Sequence, residues 1–402
     1  MMRSNDWLFG FFAVGFVNVA GACAEAQSET YRTSDDDPTP DAASVSEAGT
    51  PPVTSDGGED VDAAPSLLCS TDGWCAPEVP EPPPTNFFDL WPLPTTVFAV
   101  SESGVLELDG DRWVYVNDRV AYGRAIWASS PDNLWAAGLH GAVLHGTRSS
   151  GTWQWTEENI GEDVAIAAIW GSGTDDIYAL TNKAVYHRES SVDGGPVWKI
   201  ELEDDAVPDL YKSNSRTLTA ITGSGRDDVW ISGARGSYCG YLAHKSQGTY
   251  TVVADCNSEC IQGMACKGIA APPAWFDPTA RRSPLRVHVA TPQSAMGVRG
   301  ESLVSFTRDG AGAYVVSRRP VSGVPPTLDS AVPSLWGPTA TDLYLGGQAQ
   351  VRHNPDVAED GGTFTISSIA LNGAPLRASF IVRGANANTI WAFGGPYAVR
   401  KK

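Results

Sequence analysis

One pattern recurs along the chain from residue 89 onward, and it restricts the fold more than any other feature. A short apolar stretch reaches a Trp-Gly-Ser-like turn, crosses an Asp-Asp or Asp-Asn pair, and enters a segment centred on Trp or Tyr among small residues. The clearest copies are Ala125–Gly138, Ala168–Leu180, Ala220–Gly233, Leu335–Gly347 and Ile381–Gly394, with a first copy, weaker in its turn, over Leu90–Val100. Taking Phe98, Trp135, Tyr178, Trp230, Tyr344 and Trp391 as the equivalent aromatic, the successive gaps are 37, 43, 52, 114 and 47 residues. The long gap is two units, which places a degenerate copy near Leu285–Phe306. A period of about 45 residues built from short strands is that of a four-stranded propeller blade.

The composition agrees. Gly and Pro make up 69 of 402 residues and Met only 4, which favours many short strands joined by tight turns over helical solenoids. The Asp pair marks a hairpin, because Asp bonds its own backbone in tight turns. The following Trp or Tyr supplies the apolar area by which one twisted sheet packs on the next. The expectation is an all-β, seven-bladed β-propeller, with six or eight blades as alternatives. The last unit runs out after Tyr397–Arg400, so Asp72-Gly73-Trp74-Cys75 and the residues to about 80 are expected to supply its missing strand, because a propeller avoids an open edge.

The formal charge is −19, from 28 Lys+Arg and 47 Asp+Glu. Residues 24–88 carry −13 of it, and residues 89–402 only −6. Such acidity argues against nucleic acid, which is held by clusters of Lys and Arg. Residues 23–68 lack large apolar side chains almost throughout and read as a disordered, charge-extended tether. The apolar run Trp7–Val17 has the length of a signal-peptide core and is too short to span a bilayer. Ala20-Gly21-Ala22 before Cys23 resembles the lipobox of bacterial lipoproteins, which implies acylation of Cys23. Position −3 departs from that pattern, being Ala20 where Leu is usual. The domains expected are a lipoprotein signal peptide over 1–22, the tether over 23–68 and the propeller over 69–402.

Six further cysteines remain, an even number suited to an oxidising compartment. Cys69 and Cys75 bracket a tight loop and are expected to pair. Cys239, Cys256, Cys260 and Cys266 are expected to make two bridges of unassigned pairing, since their spacings are not the Cys-x2-Cys pairs of structural zinc.

In the third unit the outer turn reads Ser191-Val192-Asp193-Gly194-Gly195-Pro196-Val197-Trp198, which is similar to the Asp box of sialidase-like propellers. The Trp-Gly-Ser repeats, the lipidation signal, the acidic linker and Asp72-Gly73-Trp74-Cys75 together resemble the repeat-containing outer-membrane lipoproteins of myxobacterial type. That resemblance implies export to the outer membrane and says little about biochemistry. No Gly-x-Ser-x-Gly elbow, His-Glu-x-x-His, Walker or dinucleotide motif is present. The arginine triad and Tyr-Glu pair of sialidases are not assignable. His145, His187 and His353 follow their repeat aromatics by 10, 9 and 9 residues, so they recur with the unit and read as structural.

The function expected is therefore a non-enzymatic binding scaffold at the cell envelope, for protein or polysaccharide. It would be a monomer held by its lipid anchor, with no catalytic residues, cofactor or metal. A sialidase-like glycoside hydrolase on a degenerate propeller is the alternative. His140, Asn182, Arg235 and Arg299, in the turns after the aromatic strands, are candidates for contacts at a channel mouth.

Overall fold

The computed structural model describes residues 67–118, 123–190, 195–203, 216–235, 239–254, 286–291, 294–299, 302–321, 334–357 and 363–402. Cys23, the signal peptide, almost all of the tether, the Asp-box residues 191–194 and Cys256, Cys260 and Cys266 lie outside them, as does the side chain of Cys239.

Six four-stranded antiparallel sheets, each a meander in chain order, are followed by a five-stranded one that draws on both ends of the chain, and a two-stranded hairpin of Ala370–Leu371 with Ala374–Pro375 lies between the last two. The first blade is Phe87–Pro92, Val97–Ser101, Gly104–Asp109 and Arg112–Asn117. The inner strands of the next five begin at Ala125, Ile166, Arg216, Arg286 and Ser334, and that of the seventh is Ile381–Asn386. Among the described residues there is no helix. The degenerate copy is the fifth blade, where Met296 occupies the position of the repeat aromatic, opposite His288. The chain forms a seven-bladed β-propeller.

The core lies between blades and is built from the second strands. Phe98, Trp135, Tyr178, Trp230 and Trp391 are all at most 1% exposed. Closer to the axis, a second device joins neighbours. The inner-strand position opposite the repeat residue of each blade (Phe98, Trp135, Tyr178, Trp230, Met296, Tyr344 and Trp391) holds Trp91, Trp127, Trp170, Thr222, His288, Trp336 and Arg383 in blade order. A Cβ on Gly171 would come within 2.8 Å of Trp127, and one on Gly223 within 2.8 Å of Trp170. Gly384 faces Trp336 as closely. Each of these three indoles thus occupies the space that a missing side chain leaves in the following blade, which explains the recurring Trp-Gly pair.

The seventh blade is completed from the other end of the chain. Trp74–Ala76 pairs antiparallel with Tyr397–Lys401, in the register Trp74 to Lys401 and Cys75 to Arg400, and Leu68–Cys69 adds a fifth strand outside it. A disulfide joins Cys69 to Cys75. The segment also grips both neighbouring blades. The Trp74 indole N–H donates to Ser367 Oγ at 2.9 Å and Asp72 accepts the Ser368 N–H at 2.7 Å, both in the sixth blade. Glu78 exchanges backbone hydrogen bonds with Asp111 and Trp113 of the first blade, at 2.8 Å each. Arg400 and Asp111 form an ion pair across the same seam.

Removing residues 67–78 is expected to lower the Tm by roughly 10 °C. Loss of one buried Trp alone costs about 3–5 kcal/mol, and each kcal/mol moves a domain of this size by about 2 °C. Differential scanning calorimetry checks this, and an unchanged Tm would refute closure by the N-terminal strand.

Candidate ligand-binding site

Each inner strand pairs only with its second strand, so its other edge faces the axis. Seven such edges enclose a funnel of about 650 Å³. Antiparallel order puts the turns between first and second strands at one end of the ring and the hairpins between second and third strands at the other. The funnel reaches toward the first end, lined there by Leu93, Ser129, Ser172, Ser224 and Ala385. Its waist is the ring of Trp91, Trp127, Trp170, Thr222, His288, Trp336 and Arg383.

The waist carries little charge. Arg383 pairs with Asp89 at 2.9 Å and lies over the Trp91 ring, 5.4 Å from its centroid, so the end of the ring closes onto its beginning. The Asp89 carboxylate also accepts the backbone N–H of Ile126 at 3.0 Å, tying the first inner strand to the second. Ser334 does the same for Val382 at 2.8 Å between the sixth and seventh blades. Burial pushes His288 down to about 4, against a hydrogen bond with the Gly337 backbone that acts the other way, so its imidazole is neutral at physiological pH.

The rim is positioned by a network repeated from blade to blade. In the third blade Asp176 accepts from Ser172 Oγ and from His187 Nε2, the latter at 2.8 Å, while the imidazole stacks on Tyr178 with centroids 4.3 Å apart. Ser224, Asp228, His244 and Trp230 repeat this in the fourth blade, where the indole N–H also reaches Asp228 at 3.0 Å. Asp342, His353 and Tyr344 repeat the carboxylate, imidazole and ring in the sixth. Burial disfavours the Asp176 charge, yet hydrogen bonds from His187 and Ser172, with Arg226 beside them, hold it at about 2. Its contribution to stability is therefore present above the ordinary carboxylate range and lost only as pH falls through about 2. Burial lowers His187 as well, but Asp176 and Glu201 on its two nitrogens outweigh that and raise it. That contribution is complete below the usual histidine value and fades as pH rises through the raised one.

The second blade keeps the imidazole but has Asn133 in place of the carboxylate. Asn133 donates to His145 Nε2 at 3.1 Å, and burial, helped by Arg188, moves His145 down rather than up. Among the described residues the buried Trp135 indole N–H has no acceptor. Asn133→Asp is expected to raise the His145 pKa above the usual histidine value and to give Trp135 the partner Trp230 already has. An NMR titration of His145 checks it, and a value still below the usual one would show that the carboxylate does not face the ring.

Of the residues singled out from the sequence, His140 and Asn182 lie in hairpins between second and third strands, at the end away from the funnel turns. His140 is exposed, at φ 58°, with Nδ1 at 2.6 Å from Asp163. It borders a separate hollow of about 370 Å³ with Asn117, Trp155 and Glu157. The Asn182 carbonyl accepts the Leu218 N–H at 2.9 Å, joining the third and fourth blades. Arg235 and Arg299 end the second strands of the fourth and fifth blades, with side chains outside the description. The lining of the funnel was not singled out from sequence, although in four of the seven units it is the residue just before a glycine, as in Trp170-Gly171, Thr222-Gly223, Trp336-Gly337 and Arg383-Gly384.

No family model matches the chain, and no curated protein sequence does. Solved structures do match in fold. "YCF48 bound to D1 peptide" aligns at TM-score 0.56 and 12% identity, over 84% of this chain and 99% of that one. The WD40 β-propeller domain of Doa1 aligns at 0.52 and 12%, over 79% and 92%. A catalytically inactive virginiamycin B lyase from Staphylococcus aureus with quinupristin aligns at 0.53 and 11%, over 83% and 96%. At such identities the likeness defines the class, a β-propeller, and no more.

Proposed function

We propose that the chain is an exported, lipid-anchored β-propeller that acts as a non-enzymatic binding scaffold for protein or polysaccharide at the cell envelope, outer membrane included. The observation that carries the binding role is the axial funnel, which all seven blades build and whose rim serines are held in place by repeated carboxylates. A rigid ring with a preformed, partly aromatic hollow is a common form of ligand site. Two structural neighbours carry ligands by their own descriptions, a peptide in one and quinupristin in the other. Among the described funnel-lining residues none is Asp or Glu, whereas glycoside hydrolysis of the common kind needs two carboxylates flanking the bond.

Incubated with glycoside substrates, the purified protein is expected to retain ligands without releasing product. Reproducible turnover of any glycoside overturns the scaffold reading in favour of the hydrolase. The anchor rests on Trp7–Val17 and on Ala20-Gly21-Ala22-Cys23. Cys23→Ser is expected to move the protein from the membrane to the soluble fraction of an exporting bacterial host, and an unchanged distribution on fractionation would refute acylation there.

A further inference from the structure

Three hydroxyls stand at the funnel rim, and the proton of each is already committed. Ser172 donates to Asp176, Ser224 to Asp228, and Ser129 to Asn133 at 3.1 Å. The free lone pairs of these oxygens are what the rim offers, so it presents acceptors to a ligand rich in O–H donors. Below the rim, unpaired strand edges supply backbone N–H and C=O groups in alternation, of which Ile126 and Val382 are already engaged. The interior thus satisfies donors and acceptors in close succession.

The ring around the axis is also lopsided. Trp127 and Trp170 are 4% and 6% exposed. Trp91 and Trp336 keep more of their surface open. These two flank Arg383, so the sixth, seventh and first blades form one wall of indole, guanidinium and indole. The fourth and fifth blades put the smaller Thr222 and His288 at the corresponding positions. Arg383 is the one lining residue with a permanent charge among those described, and Asp89 neutralises it. A neutral site of indoles, acceptor oxygens and open strand edges matches a ligand with apolar C–H faces and many hydroxyls.

We propose that the funnel takes a short uncharged oligosaccharide, or the end of a longer neutral glycan, seated on the wall of Trp336, Arg383 and Trp91 with its hydroxyls on the rim serines. This rests on the scaffold reading above and names its ligand class. A neutral glycan suits the site better than an extended peptide, because each sugar hydroxyl can turn its proton to the acceptor-only rim and the ring's C–H face can lie on an indole, whereas half of a peptide's backbone polar groups are carbonyls that cannot donate.

The test is isothermal titration calorimetry of the purified protein with cellotriose, chitotriose and maltotriose, with 3′-sialyllactose as the charged comparator and a capped, uncharged pentapeptide as the rival. Two variants accompany it, Trp336→Ala on the wall and Ala385→Trp at the rim; the second adds bulk without opening the core. The expected result is saturable binding of at least one neutral trisaccharide, nearly insensitive to salt because no net charge is involved. Either variant weakens it about tenfold or more, corresponding to about 1.4 kcal/mol. Preference for the sialylated sugar overturns the neutral class. Sugar binding that neither variant weakens overturns the funnel as its site. Binding of the peptide alone, blocked by Ala385→Trp, overturns the glycan and leaves the scaffold reading intact. If no probe binds, the glycan inference fails, and only turnover in the hydrolysis assay would then count against the scaffold as well.

Discussion

The seating of one blade's inner side chain on the next blade's backbone is the contact on which the ring depends. Sheets twist, and seven of them close around an axis only if their inner edges approach evenly. Here large and small residues alternate between neighbours to keep that approach constant. Trp127 meets Gly171, Trp170 meets Gly223 and Trp336 meets Gly384. The pairing is not uniform around the ring: Thr222 precedes a blade with Val289 at that place and Arg383 one with Pro92, but Trp91 precedes one with Ala128 and His288 one with Gly337. The same side chains bound the funnel, so packing and recognition share one set of residues and neither can drift without the other.

Much of the architecture was legible because the repeat spells out one blade at a time. The Asp pair, the aromatic strand and the glycine gave the meander and its period, and the truncated last unit implied the borrowed strand, which the pairing of Trp74–Ala76 with Tyr397–Lys401 supplies. The fifth blade was hard to read because Met296 replaces the aromatic and His288 the inner Trp. The repeated histidines were read as structural from spacing alone, and the carboxylates that hold His187, His244 and His353 account for the recurrence. His244 escaped that reading because it lies 14 residues after Trp230 rather than 9 or 10.

The funnel was less legible, for a physical reason. A loop signal in sequence draws attention to hairpins such as those holding His140 and Asn182, where solvent-facing polar residues gather. The residues that line the axis lie on strands, look like core, and are separated by some 40 residues at a time. Only the sevenfold closure brings Trp91, Trp336 and Arg383 onto one wall, and no local pattern records which blade stands opposite which.

The N-terminal strand also has a mechanical meaning. A pull on the chain ahead of Leu68 would reach the ring at the seventh blade, which among the described residues is the one whose strands come from both ends. The Cys69–Cys75 bridge closes the intervening loop, so load would pass from Cys69 directly to Cys75 and bypass Ser70 to Trp74. From there it would spread as shear along Tyr397–Lys401 and, through Glu78, into the edge of the first blade. A leash attached at this point pulls on the clasp of the ring, and the covalent bridge lets the clasp carry that tension without unzipping its own hairpin.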